Sequence, residues 1–445
     1  MKTRPALTDG HPRRREGAIL GLVLVMLVVL SVFGVGLLSL GAAAGQETGR
    51  SIGAVQAFWS AEAGVEQVKA ILLNHRRPMP QIIHASSPSG FLYGANALTG
   101  ALGRISYAVE ILEAPGWTNG VTAIQKYLIR SRSLAPNGAR QQVSLVGTIE
   151  SFASYMHASN YEFDLSRGNI FFGTGDRIDG PVYVNDELNI YGTPVFLQHV
   201  SSTAGSVNYQ NGGTSAVFRD GLTLNAPPLD FAGSYSSDHI AALKQEALHG
   251  GLALTGDYNL NFRSDGSFVY RRRGTTNDTT AYLSDLNGAI YVSGDAWVNG
   301  VVRGRVTVAA QDAIYISNSV TYATATSPHP WQTNTFNPAL VTDSLGLMAS
   351  NQIQIAGTQA VTIHAALMVT ADGGGFNASN RYVNIGSPYI NLYGSIAQYR
   401  RGIVGQSSGT GYLKNYKYDT RFYCDAPPHF PYSVYRYANW SQATL

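Results

Sequence analysis

Residues 18–44 read AILGLVLVMLVVLSVFGVGLLSLGAAA, 27 positions without one charge. As a helix this run extends roughly 40 Å, more than the ~20 residues that cross a bilayer require. Its reading decides the fold, because a run this apolar belongs in lipid and makes everything after it a separate body of about 400 residues. Arg13, Arg14 and Arg15 stand directly before it, and the next basic residue is Arg50. That asymmetry keeps the N-terminus cytoplasmic and exports the remainder. A secretory signal peptide has an apolar core of about 7–15 residues, shorter than this one, although GAAAG at 41–45 has the small residues of a cut site. An uncleaved anchor fits the run equally well.

Beyond the apolar run the helical period continues. Phe58, Ala61, Val65, Val68 and Leu72 recur at steps of three and four, with Gln56, Glu62, Glu66 and Lys69 elsewhere on the cylinder. The spacing predicts one helix over 18–74, closed by His75, Arg76, Arg77 and Pro78. Its outer part is amphipathic, so it has something to pack on.

A basic leader of residues 1–17 ending in Gly17, an apolar helix opening at Ala18, and the string AFWSAEAGVEQVKA at 57–70 together resemble the N-terminal region of PilX-type minor pilins and related type IV pilin-like proteins. The specific element is AF-x-x-AEAG, formed by Ala57, Phe58, Ala61, Glu62, Ala63 and Gly64. The resemblance covers residues 12–75. It implies cleavage between Gly17 and Ala18 by a prepilin peptidase, N-methylation of Ala18, and packing of the helix among other pilins or pseudopilins after it leaves membrane lipid. The fifth residue of the mature chain would be Leu22, where most such subunits carry a glutamate that neutralises a neighbour's terminal amine. An unpaired ammonium in hydrocarbon is costly, so the resemblance implies a minor subunit, placed at a filament tip. Gly34 and Gly36 lie inside the same helix, as sites of local melting or of close helix packing.

Residues 75–150 read as a linker and a small antiparallel sheet. The stretch 79–103 is rich in Ser, Pro and Gly and reads as a connection. RISYAVEIL (104–112), AIQKYLIRSRSLA (123–135) and ARQQVSLVGTI (139–149) alternate apolar with polar and predict a three-strand meander. From residue 151 to 445 the texture becomes short strands separated by Gly, Asn and Asp. AIYVS at 289–293 recurs as AIYIS at 313–317, and LGLMASNQIQIAG (345–357) and YINLYGSIAQYRRG (389–402) fit further rungs. Repeats of 20–30 residues with several strands each favour a β-solenoid, or parallel β-helix, over a sandwich. The Tyr-rich segment 411–431 resembles the end of exported β-rich domains on PilX-like N-termini, and reads as a cap on the last coil. The expected fold class is therefore α+β at the N-terminus followed by a mainly-β exported domain.

The composition narrows the chemistry. Only 13% of residues are charged, and the net +3 resides entirely in the leader, leaving a neutral body with no long-range pull on nucleic acid. The single Cys424 excludes an internal disulfide and a CxxC site. The ten histidines, His364 and His429 among them, show no metal-ligand spacing, so neither metal nor cofactor is expected. ADGGGFN at 371–377 lacks the lysine of a phosphate loop and reads as a turn. For glycan chemistry the candidate carboxylates are Asp176, Asp179, Asp186 and Glu187, although turn-forming accounts for the same Asp/Gly pattern. For nucleic acid the candidates are Arg271, Arg272 and Arg273 beside Phe268 and Tyr270, and Arg400 and Arg401 after Tyr399; solvated edge charge is the better account. The expected role is non-enzymatic, in assembly of a type IV pilus, competence or type II secretion filament. A membrane-anchored enzyme or adhesin for surface glycans is the alternative.

Overall fold

A computed structural model describes residues 15–75, 94–114, 126–210, 216–229, 231, 236–327, 336–406, 409–423 and 425–445. One helix, α1 (Arg15–His75), runs through the apolar run and the amphipathic stretch without a break, about 90 Å at 1.5 Å per residue. Four strands follow: β1 (Gly94–Leu102), β2 (Ile105–Ala114), β3 (Lys126–Leu134) and β4 (Arg140–Ser151). They form an antiparallel meander against which the outer third of α1 packs. The expected meander is present, and the sheet is wider than its reading. Residues 94–102, read as connection, pair with β2, while 76–93 lie outside the described residues.

The fifth strand comes from the far end of the chain. Tyr432–Thr444 lies antiparallel to β4, with Tyr432 opposite Ser151. At the same point Phe152 N–H donates to Pro431 O at 3.1 Å and Ser151 Oγ donates to it at 3.0 Å. The β-rich unit is thus an insertion, 152–431, between two neighbouring strands of the N-terminal sheet, and does not extend to residue 445.

Inside the insertion the strands pair in parallel. One ladder runs Leu252, Ile290, Val308, Leu347, Leu367, Ile396, His157, Val182, Val200, Leu222. A second stacks Tyr258–Phe262, Ala296–Val302, Ala313–Tyr322, Gln352–Ile355 and Gly375–Ala378. A third joins Val361–Val369, Tyr389–Arg400, Leu413–Tyr418, Arg177–Asp179 and Val195–Phe196. Where Ala296–Val302 bends from one ladder to the next, its register slips at Gly300. That residue has φ +107°, and a side chain there would collide with Phe262 O, so glycine is required.

Along the stack the residue numbers climb from 252 to 396, jump to 157, and climb to 222. The first rung therefore sits in the middle, against the last. After Thr223 the chain returns along the outside of the first ladder. Ala226 N–H bonds Ser202 O at 2.9 Å, Leu229 N–H bonds Asn185 Oδ1 at 2.8 Å, and the Phe231 ring lies 5.0 Å from that of Phe152. Helix α2 (Ser236–Leu248) then covers strands 252–254 and 289–292 with buried Ile240, Leu243 and Ala247. Covered on both faces, Ala289–Val292 loses alternation, all four of its residues being buried.

Two finer expectations are corrected. AIYVS and AIYIS stand 24 residues apart but occupy different ladders. The true step there is 18 residues, Ile290 to Val308 and Val298 to Ile316, so the likeness reflects a shared strand pattern rather than stacking. Segment 411–431 is no cap either, since Leu413–Tyr418 pairs on both edges, with Tyr389–Gly394 and with Arg177–Asp179. One end of the stack is instead closed by the hairpin Ser267–Arg272 and Thr279–Tyr282, antiparallel to Tyr258–Phe262.

Candidate functional site

The helix α1 has two unlike halves. From Ile19 to Leu40 its large apolar side chains stand free of the body, Leu22 at 69% exposure among them. No atom approaches within 4 Å of where a Cβ would stand on Gly34 or Gly36. The segment Ile19–Ile71 is long and apolar enough to cross a membrane. An apolar stripe this large is not left to water.

The outer part is seated on the sheet by its smallest residues. Ala61, Val65 and Val68 are fully buried against Tyr107, Val109, Ile111, Ile129 and Val143, and Ala57 against Ile105 and Ala135. Each buried valine contributes about 1.5–3 kcal/mol. At Gly64 a Cβ would overlap Ser131 Oγ and stand 2.7 Å from Tyr107 Cδ2, so the helix backbone rests directly on β2 and β3. Two serines fix the seat: Ser60 Oγ donates to Ile105 O at 3.0 Å, and Ser133 Oγ to Ala57 O at 2.5 Å. Asn137, in the turn before β4, donates to Gly49 O at 2.8 Å. The AF-x-x-AEAG element is thus a docking surface, its alanines and glycine permitting close approach. Glu62 accepts from Trp440 Nε1 at 3.3 Å, and the Phe58 ring lies between Trp59 and Trp440, 5.1 and 6.2 Å away. Ala63 is half-buried against the core that Ala61, Val65 and Val68 form with the sheet. Gly17 and Ala18 lie within the first turns of α1.

The sequence-derived catalytic candidates are each held separately. Asp176 accepts from Lys414 Nζ at 2.5 Å and from Gly173 N–H. Asp179 faces Lys417 at 3.9 Å. Asp186 caps the amides of Glu162 and Glu187, and Glu187 accepts from Ser206 Oγ at 2.8 Å. Arg271 meets Asp278 at 3.5 Å, Arg273 lies 3.6 Å over the Trp297 ring, and Arg400 and Arg401 pair with Asp372 and Glu162. His364 accepts from Tyr322 N–H at 3.1 Å among aromatic rings, and His429 meets Asn287 O at 2.9 Å. Among the described residues no three His, Cys, Asp or Glu side chains form a metal-binding group; Cys424 lies outside them.

Sequence reasoning missed Ser60, Ser133, Asn137 and Trp440, and also the buried pairs Glu162–Arg401 and Asp176–Lys414. The serines carry a faint signal, being polar residues on the apolar side of the helix and strand. The ion pairs carry none, since their members stand more than 230 residues apart.

A family model described as a domain of unknown function (DUF4900) matches residues 121–205. The matched stretch straddles the passage from β3 and β4 into the first rungs of the insertion. No curated protein and no solved structure matches the chain.

Proposed function

We propose that this chain is a non-enzymatic, pilin-like subunit, anchored first in the cytoplasmic membrane by α1 and then transferred into a type IV pilus, competence or type II secretion filament. The observation that carries this reading is the division of one continuous helix. Its N-terminal half is apolar and unpartnered, and its C-terminal half is locked onto an antiparallel sheet by Ala57, Ala61 and Gly64. Such a helix can exchange lipid for neighbouring helices without disturbing the body it carries. The N-terminus remains cytoplasmic, a prepilin peptidase removes residues 1–17, Ala18 is N-methylated, and other pilins or pseudopilins are the partners. Leu22 gives the helix no carboxylate to offer a neighbour's terminal amine, which supports a minor component at the tip over a repeating subunit.

The insertion is read as a three-sided β-solenoid displayed at the cell surface by this carrier. Separate engagement of Asp176, Asp179, Asp186 and Glu187 supports a structural role for them over glycan hydrolysis, which needs two converging carboxylates.

Processing tests the reading. Replacing Gly17 with phenylalanine is expected to leave all 17 leader residues attached in cells that hold a prepilin peptidase, as read by intact-protein mass spectrometry. Normal removal from this variant would refute the assignment.

A further inference from the structure

Among the described residues, neighbouring rungs of the stack follow one another in the chain except at one junction. Between 157–179 and 389–418 the facing residues are some 240 positions apart, so no short turn holds their register. There the interior turns polar. His157 takes a ladder place that is apolar in every other rung. Glu162 and Arg401 are 0% and 3% exposed and pair directly; Glu162 also accepts from Ser159 Oγ and lies 3.2 Å from His157 Nε2. Arg401 sits 3.7 Å over the Phe172 ring, and buried Asp176 holds Lys414. A small cavity at the junction is bordered by His157, Phe172, Gln398, Arg401, Lys414 and Tyr416.

We propose that this junction is a separable clasp: Glu162–Arg401 and Asp176–Lys414 set the register in which two half-stacks close, and acid opens it before either half-stack unfolds. Elsewhere a short connection limits register, whereas here a slip of two residues, which keeps every side chain on its own face, would cost only apolar contacts if the interface were apolar throughout. Buried charges make every wrong register leave an ion unpaired.

The acid response follows from what surrounds His157. Glu162 and Ser159 face it from its own segment, Gln398 and Arg401 from the strand 389–400 and the residues after it, and Lys414 and Tyr416 from 413–418. Burial holds its imidazole below the ordinary 6.5, so the ring is neutral and donates to Glu162. Burial pushes Glu162 up, but Arg401 and His157 outweigh it and bring the carboxyl down to about 2. Both folded values lie below the unfolded ones, so the open state binds more protons. Closure is at full strength above 6.5, weakens as pH falls through 6.5, and weakens again below about 4.5. This clasp stands whether or not the helix enters a filament.

Hydrogen-exchange mass spectrometry on the full chain in detergent, from pH 7.5 to 4 with intrinsic rates normalised, tests it. Peptides covering 157–161, 396–400 and 413–418 are expected to lose protection first, by up to about tenfold per pH unit for each proton taken up. Peptides covering 289–310 and 344–369 keep theirs. His157→Leu, apolar like its ladder neighbours, should move the onset from near 6.5 toward 4.5. Glu162→Gln, which keeps the shape and strands Arg401, should open the junction already at pH 7.5. Simultaneous loss in all peptides, a junction protected throughout, or variants that leave its exchange unchanged would each overturn the proposal.

Discussion

Truncating Arg401 to alanine should destabilise the β-rich unit by about 3–5 kcal/mol, the usual consequence of leaving a buried carboxylate without its counter-charge. Glu162 has no exposure through which water can replace the guanidinium, and its remaining partners are Ser159 and a neutral His157. Arg401 also bonds Ile170 O at 3.4 Å and Phe171 O at 3.5 Å, so its loss frees two carbonyls as well. Replacing both members by apolar residues of similar volume, Glu162→Leu with Arg401→Met, should recover most of that loss, because no buried charge then remains. Denaturant midpoints of the two single variants and the double variant measure this. If the Arg401→Ala midpoint matched that of the parent, Glu162 would be stabilised by something other than this pair.

Introducing leucine at Gly64 should unseat the helix from its sheet, at a cost at or above the upper end of the 1–3 kcal/mol typical of overpacking. Even the first added carbon meets Ser131 Oγ and Tyr107 Cδ2, and Val109 Cγ2 lies 3.0 Å away. All three neighbours belong to paired strands that cannot retreat singly. The expected readout is rapid proteolysis within 94–151 while the insertion stays resistant. Gly34→Ala and Gly36→Ala are the matched controls. Nothing stands within 4 Å of either added methyl, and each gains up to about 1 kcal/mol of helix propensity. Should Gly64→Leu be as protease-resistant as these controls, the glycine would not be the point of closest approach.

The helix is legible in the sequence because an unbroken apolar run and a three-four stripe are local patterns. Ala61, Val65 and Val68 are buried as that stripe requires. Strands β2 to β4 are legible for the same reason, each alternating against one buried face. What escapes reading is set by distant partners. Residues 432–444 follow a dense Tyr, Pro and Arg segment, and nothing local says that they complete a sheet begun over 300 positions earlier. Likewise the permuted rung order depends on Ile396 meeting His157, a pairing that no repeat length reveals. The 24-residue likeness of AIYVS and AIYIS misleads because inward-facing strands of different ladders demand the same residues.

The central claim, that α1 serves first in lipid and then among sister helices, is tested most directly by following the chain itself. Cells with the filament system active would be sheared, and the chain quantified by mass spectrometry in the fibre and membrane fractions, with its N-terminal peptide identified. The expected result is a fibre-associated chain beginning at methylated Ala18, at a copy number far below that of the main subunit. A chain confined to the membrane fraction, or one beginning after the alanines at 42–44, would contradict the account.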